Sequence, residues 1–328
     1  MLLSLCIATY NEGKNIHYPL ESAYDFVDEV VIVDGGSTDK TVEIAKSYGK
    51  KVRIIKTDNP AMFHKNKQKA IEAAHGEWIL QLDADEALSK ELKDEIKVII
   101  NPKSEIRNPK QIRNQKTQNH KQFKNLNLEN SNLFRASSFD IRISQKVAYW
   151  VPRKNFFLTR FLMKGGQYPD YTIRLYKNGF ARFPCKSVHE NVEIIQKSNY
   201  QLSITNNQKN PKFQYSNIQN KIENWKLNIG YLNNPILHHA DPTFSRYLQR
   251  WDRYTTLDAN ILFTTQGFAS LHFFDYFFLK PSVWFFSTYF RHLGFLDGFP
   301  GFVFALFSSL RFWVIYVKLW TKTIKKTE

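Results

Sequence analysis

Asp83, Asp85 and Glu86 follow directly on an apolar run, Trp78-Ile-Leu-Gln-Leu82, and their type and spacing point to chemistry more directly than any other stretch of the chain. Buried strands do not tolerate unpaired acids, so the run reads as a strand that ends where the carboxylates begin. Asp83 and Asp85 are two residues apart. In extended or turning backbone both can face the same way and share a hard divalent cation with the oxygens of a diphosphate. A strand-end turn with an aspartate capping the next helix is the other reading of the same residues.

The elements that position these carboxylates begin at the N-terminus. Leu2 to Ala8 is a short apolar run followed by the polar turn Thr9-Tyr-Asn-Glu-Gly13, which opens a helix with Ile16, Leu20, Ala23, Tyr24 and Val27 on one stripe. A second strand, Glu29 to Val33, runs into Asp34-Gly-Gly-Ser-Thr-Asp39. There the glycines permit tight turning, Ser37 or Thr38 can cap the next helix, and Asp39 suits its first turn. Val52 to Ile55 forms a third strand, and Lys65 to His75 forms a helix stopped by Gly76 before the fourth strand. Alternating strands and helices of these lengths predict an α/β fold with a mostly parallel sheet. Ligands of such sheets bind at the carboxyl ends of the strands, where Thr9 to Glu12, Asp34 and Asp83 to Glu86 all fall.

Composition narrows the partner. The 328 residues carry a net charge of +16, from 46 basic and 30 acidic side chains, which favours an anionic partner such as nucleic acid, a phosphorylated substrate or a membrane surface. Of the 50 aromatic residues, 19 lie between Leu271 and Glu328, a bias that a soluble nucleic-acid binder has no need for. The membrane surface is therefore favoured and nucleic acid is not expected. Cys6 and Cys185 are too few and too far apart for a disulfide framework or a cysteine zinc site. Met1 to Tyr10 has neither a basic n-region nor a cleavage site, which predicts a cytoplasmic chain.

Two segments break the pattern. In residues 101–135, 12 of the 35 residues are Asn or Gln, and residues 196–228 have the same character, so both read as flexible insertions. Beyond His238 and His239, Arg246, Arg250 and Arg253 form a basic helical stripe suited to phosphate or anionic lipid, or to solvent. Uncharged runs of 10 residues (Pro281 to Phe290) and 13 residues (Gly298 to Leu310) are each shorter than the roughly 20 that a spanning helix needs. They read as interfacial or re-entrant helices, with Lys318, Lys322, Lys325 and Lys326 reaching anionic lipid; a hairpin spanning the membrane is the alternative.

No Gly-x-Gly-x-x-Gly follows the first strand, which argues against a dinucleotide dehydrogenase. The chain instead resembles the inverting nucleotide-sugar glycosyltransferases of family 2, with the GT-A fold. The resemblance rests on Ala8-Thr-Tyr-Asn-Glu12, Val33-Asp-Gly-Gly-Ser-Thr-Asp39, Lys65-Asn66 and Gly76 to Glu86. Arg153 to Phe157, Gly165 to Asp170, Arg174-Leu175, Val188-His-Glu190, Arg253-Tyr-Thr255 and Gly294 to Gly298 extend it toward the lipopolysaccharide inner-core glycosyltransferases. One departure stands out: family members usually have Arg where this chain has Lys65, which keeps the charge but loses the planar fork.

The resemblance implies a GT-A domain over residues 1–232, containing both insertions, and a C-terminal helical, membrane-associated region over residues 233–328. It implies a hexosyl- or heptosyltransferase that takes a nucleotide sugar, UDP-linked, to a lipid-linked or glycolipid acceptor. The enzyme would be peripheral or monotopic at the cytoplasmic face of the plasma membrane. Asp83 and Asp85, with His189, would hold Mg²⁺ or Mn²⁺. Asp34 would accept from the nucleobase, and Thr9, Tyr10, Glu12, Lys65, Asn66 and Asp83 would bind the donor. Asp170 would be the base that deprotonates the acceptor hydroxyl, with Glu190 as its rival. A polyprenyl-phosphate glycosyltransferase and a noncatalytic membrane- or nucleic-acid-binding module of the same fold are the alternatives.

Overall fold

The computed structural model describes residues 1–60, 62–101, 146–185, 191–195, 229–265 and 272–327. Both Asn-rich insertions, apart from Asn101, lie outside these residues, as do His189 and Glu190. Two compact units are present, one of Met1–Val151 with Thr172–Asn234, the other of Pro152–Tyr171 with Pro235–Glu328.

In the first unit the chain runs β1 (Leu3–Thr9), α1 (His17–Ala23), β2 (Glu29–Asp34), α2 (Thr41–Ser47), β3 (Val52–Lys56), α3 (His64–Glu72) and β4 (Trp78–Asp83). β1 lies between β2 and β4, β3 lies outside β2, and all four strands are parallel. Central strands covered on both faces must be apolar throughout. Accordingly Leu5, Cys6, Ile7, Val30, Val31, Ile79 and Leu80 are fully buried. The first helix is shorter than expected: Leu20 and Ala23 of α1 are in the core, as are Ile16 at its N-cap and Val27 beyond its end, while Tyr24 is half-buried.

Register places the chemistry. Thr9 pairs with Asp34 and Ala8 with Asp83, so the polar residues of three strands reach the same rim of the sheet. A short strand, β5 (Glu86–Leu88), and α4 (Lys90–Ile100), capped by Ser89, follow. Next in the chain come β6 (Ala148–Phe157), β7 (Arg160–Leu162) and β8 (Asp170–Lys177), of which only residues 148–151 and 172–177 belong to this unit; residues 175–177 pair antiparallel with β4. The ribbon of β9 (Ala181–Arg182) and β10 (Glu193–Ile194) and the strand β11 (Ile229–Tyr231), parallel to the start of β6, complete this unit.

In the second unit β12 (Ile236–Asp241) runs parallel to residues 153–157 of β6, and β7 folds back antiparallel on the same strand. Its helices are α5 (Phe244–Thr265), α6 (Lys280–Phe286) and α7 (Gly298–Thr327). π-helical turns at Asp275–Leu279 and Ser287–Arg291 flank α6, and a 3₁₀ turn at Gly294–Asp297 leads into α7.

The C-terminal region differs from the expected short, separate helices. α7 has 30 residues, about 45 Å at the rise of an α-helix. Gly294–Ile324 contains an 18-residue stretch with a mean hydropathy of 1.6 and is long and apolar enough to cross a membrane by length and composition alone. Arg311 does not end the run because its guanidinium lies over the Trp284 ring, 4.2 Å from the centroid, and stays in contact with Phe312. Two lysines expected to reach lipid are engaged within the unit. Lys318 Nζ bonds Asp252 Oδ1 at 2.6 Å, and Lys322 bonds Asn260. The basic stripe on α5 is likewise interrupted, since Arg250 forms an ion pair with the buried Asp241.

Close packing leaves no room for a side chain at Gly76, just before β4: a Cβ there would lie 2.5 Å from Ser4 Oγ and 2.7 Å from Ser4 N. Gly76→Ala is therefore expected to lower stability by about 1–3 kcal/mol in urea unfolding, an overpacking cost.

Candidate active site

The end of β4 is held by cations. Asp83 Oδ1 lies 2.5 Å from Lys67 Nζ of α3, and Asp83 Oδ2 lies 2.7 Å from Arg174 Nη2 of β8. Arg174 also donates to Glu86 Oε1 at 2.7 Å and to Gln81 Oε1, while Glu86 Oε2 accepts from the Asp83 backbone N–H at 2.9 Å. The Glu86 side chain is fully buried and that of Arg174 is 6% exposed. Burial alone would push the Asp83 carboxyl up, but Arg174 and Lys67 hold it well below the usual carboxylate range. Burial likewise disfavours charge on Arg174, and the carboxylates of Asp83 and Glu86 more than reverse that effect.

The neighbouring loops are stitched to each other rather than left open. Asp34 is 1% exposed; its Oδ2 accepts from the backbone of Gly36 and Ser37, and its Oδ1 accepts from Ser37 Oγ at 2.5 Å. Ser37 Oγ in turn accepts from Asn11 N–H, and Asn11 Oδ1 accepts from Thr38 N–H. Asn11 has a φ of 54°, a left-handed conformation that asparagine tolerates because its amide bonds locally. Ser37 and Thr38 therefore serve this inter-loop network and not the cap of α2. Asp39, one residue ahead of the N-cap Lys40, accepts instead from Thr41 N–H through Oδ1 and from Gly13 N–H through Oδ2.

The remaining residues expected to bind the donor occupy distinct positions. Tyr10 is 44% exposed. Glu12 accepts from Asn15 through Oε2, and its carbonyl accepts from Asn15 and Ile16 N–H where α1 begins. Lys65 is exposed, whereas Asn66 is buried and donates to the Asp58 carbonyl. Thr9 Oγ1 and Asn66 Oδ1 are buried with no hydrogen-bond partner among the described residues. Buried polar atoms left unsatisfied are uncommon, and a bound water, ion or ligand is one way of satisfying them; Arg174 Nε and Tyr176 Oη share this state.

In the second unit Asp170 accepts three hydrogen bonds on Oδ2, from Arg153 Nε (3.0 Å), Arg153 Nη2 (2.7 Å) and Asn155 Nδ2 (3.1 Å). Asn155 Oδ1 lies 2.7 Å from His238 Nδ1. Burial raises the Asp170 carboxyl, but the charge and hydrogen bonds of Arg153, the bond from Asn155 and the nearby His238 outweigh it and leave it below its ordinary value.

Register thus brings Thr9, Asp34 and Asp83 to one rim, and Lys67, Arg174 and Gln81 join them as residues that sequence reasoning did not assign. Signals for two of these existed. Arg174 sits inside the run Thr172-Ile-Arg-Leu-Tyr176, and Lys67 lies on the same helical stripe as Ala70 and Ile71. Asn155 and His238 were equally unassigned. For a divalent cation, no three His, Cys, Asp or Glu side chains among the described residues are grouped to hold one. Asp83 and the half-buried Asp85 are the two carboxylates that could hold Mg²⁺ or Mn²⁺ with substrate phosphates completing the coordination, and Asp83 would have to exchange its contact with Lys67 or Arg174 to do so.

A mostly parallel α/β sheet with acidic side chains on its carboxyl-terminal rim has the architecture of the GT-A glycosyltransferases. The model of the family described as glycosyl transferase family 2 matches residues 4–177, more than half of the chain, and the chain belongs to that family. Uncharacterised glycosyltransferases of Rickettsia bellii and Rickettsia felis are each 44% identical to it over 98 residues, covering 30% of this chain and 32% and 33% of theirs. Those matches thus span about a third of the length of the curated relatives. The solved structure of Staphylococcus aureus TarS residues 1–349 with UDP is 13% identical, covers 100% of this chain and 92% of that one, and superposes with a TM-score of 0.41.

Removing one partner from a buried ion cluster strands the others, so Arg174→Met is expected to cost roughly 3–5 kcal/mol in urea unfolding at neutral pH. The pH dependence has a defined sign. Asp83 is depressed in the folded state and returns to about 4 when unfolded, so its contribution is complete above that value and lost as pH falls through the folded pKa. The urea midpoint should fall in acid below about pH 4, and the part of that fall due to Asp83 should shrink in the Arg174 variant.

Proposed function

We propose that the chain is an inverting glycosyltransferase that moves a hexosyl or heptosyl unit from a UDP-linked donor to a lipid-linked, lipopolysaccharide-core-type acceptor at the cytoplasmic face of a membrane. The observation that carries this reading is the family match over residues 4–177, which includes the whole rim from Thr9 to Asp83 and Arg174. The two buried unsatisfied atoms on Thr9 and Asn66 support a ligand at that rim. The apolar C-terminal helix and its exposed aromatics support the membrane acceptor.

The roles follow from the chemistry each group can perform. Transfer with inversion requires a base at the acceptor hydroxyl, an electrophilic anomeric carbon and a stabilised diphosphate leaving group. Mg²⁺ or Mn²⁺ held by Asp83 and Asp85 would act as a Lewis acid for the leaving diphosphate. His189, outside the described residues, is kept as a further ligand in this proposal. Lys67 neutralises Asp83 beside the phosphate site, a positive charge already in place before the donor binds. Thr9, Tyr10, Glu12, Asp34, Lys65 and Asn66 line the donor side. Because Asp34 already accepts three hydrogen bonds, contact with the nucleobase would use its remaining acceptor capacity.

Asp170 is the proposed base. Arg153 and Asn155 both bond Oδ2, which fixes the carboxylate and keeps it ionised, at some loss of proton affinity. Glu190 remains the rival base.

Donor hydrolysis or transfer with a panel of nucleotide sugars tests the reading, and inactivity with every donor, with or without divalent metal, sinks it. Asp85→Ala is expected to abolish the Mn²⁺-dependent part of UDP binding in calorimetry, and undiminished binding would remove the metal role. Asp170→Asn is expected to lower kcat by about 10²–10⁴ with donor binding unchanged. Because Arg153 depresses the Asp170 carboxyl, Arg153→Met should move the acidic limb of the pH–rate profile to higher pH. An unmoved limb would shift the assignment toward Glu190.

A further inference from the structure

The aromatic turn of the second unit is exposed where a folded chain would ordinarily bury it. Phe286, Phe290, Phe295 and Phe299 are 60%, 51%, 42% and 73% exposed. They form one surface through ring contacts. Phe286 stacks on Phe290 (5.6 Å between centroids), Tyr289 touches Phe290, Phe295 and Phe302, and Phe302 meets Phe299. Exposed apolar surface joined in this way marks an interaction site.

Charge selects the occupant. Between Tyr276 and Thr327 the sequence has seven Lys or Arg and one acid, Asp297, which is 2% exposed. Arg311, Lys318 and Lys322 are engaged inside the unit, but Arg291 is exposed immediately after Phe290. Arg160 and Lys164, also exposed, belong to the same unit, and Arg160 Nη1 would lie 3.9 Å from a Cβ at Gly298. Exposed phenylalanines rimmed by cations with no exposed acid fit an anionic bilayer surface better than a protein face, where acids and bases alternate.

The same turn holds the loop that leads to Asp170. Asp297 accepts from the backbone N–H of Met163 (3.0 Å to Oδ2) and of Lys164 (2.7 Å). Gly165 N–H donates to the His292 carbonyl at 2.8 Å. Gly165 has a φ of +65°, and a Cβ there would meet Thr288 and Gly294 at 3.4 and 3.6 Å. Both sides of the contact are backbone held by a buried carboxylate and by close glycine packing. A displacement of the turn is therefore carried to residues 163–165.

We propose that residues 286–302 seat in the headgroup and acyl boundary of an anionic bilayer, and that Asp297 couples this seating to the Met163–Gly165 loop preceding Asp170. The inference rests on the reading of a membrane-held acceptor. It places the bilayer contact in this turn, and not in the lysines at the end of α7, and makes Asp297 a positioning residue.

The test uses the full chain with no sugar donor, so its outcome is independent of whether transfer occurs. Sedimentation is measured with vesicles of phosphatidylcholine alone and of phosphatidylcholine with phosphatidylglycerol. The wild type is expected to bind the anionic vesicles preferentially. The double variant Phe290→Glu, Phe299→Glu, which alters only exposed side chains, is expected to lose at least about tenfold in partitioning while keeping its circular dichroism. Hydrogen exchange at the amides of Met163 to Gly165 is expected to slow on anionic vesicles in the wild type. In Asp297→Ala, which removes the acceptor oxygens, that slowing should be lost while vesicle binding persists. Full binding by the double variant, or self-association through the turn without vesicle binding, overturns the docking surface. Slowing that persists in Asp297→Ala overturns the coupling; should that variant not fold, wild-type exchange that fails to slow on anionic vesicles overturns it as well.

Discussion

The first unit depends on one buried guanidinium. A strand that ends in three carboxylates can be packed inside a sheet only if their charge is answered within the protein. Arg174 answers two of them, Asp83 and Glu86, and Lys67 adds a second cation on Asp83. Lys67 comes from α3 and Arg174 from β8, so the acidic turn fixes where a helix and a strand distant in sequence must come to rest. The rim of the sheet owes its order to a balance of charges as much as to the apolar core beneath it. That balance also separates the two carboxylates that look alike in sequence: Asp83 is bound by cations on both oxygens, while Glu86 is buried as a structural acid.

Much of this was legible from residue order alone. The apolar strands and the burial of Ile16, Leu20, Ala23 and Val27 in and around α1 follow from the apolar pattern, because local pattern and tertiary position agree there. Parallel register then forces Thr9, Asp34 and Asp83 to a common end without further information. The partners of the acids were less legible, because an ion pair between residues 83 and 174 leaves no trace in local spacing. Cap assignments failed for a related reason. Ser37 has the type for a helix cap, but a competing acceptor, Asp34, and a donor from the neighbouring loop claimed it first. At α7 a charge was read as a break, whereas Arg311 stacks on Trp284 and lets the helix continue.

The second unit is organised on a different principle. Its helices pack through aromatic contacts and indole hydrogen bonds, such as Trp251 to the Phe307 carbonyl and Trp313 to the Phe277 carbonyl. Gly301 approaches the Gly294 carbonyl so closely that any Cβ there would collide with it. The turn from Gly294 into α7 is thus closed by backbone on backbone, and the large rings on either side of it are left exposed.

Asn155, between Asp170 and His238, carries a consequence of another kind. A carboxylate offers only acceptors, so the end of the amide facing Asp170 must be its NH₂, and the end facing His238 must be its oxygen. The imidazole is thereby set with its proton on Nδ1, because only a donor there satisfies that oxygen. An amide neither gains nor loses a proton at ordinary pH, so it joins the two ionisable groups mechanically while insulating them chemically. The carboxylate feels the charge on the ring, yet no proton passes between them by way of Asn155.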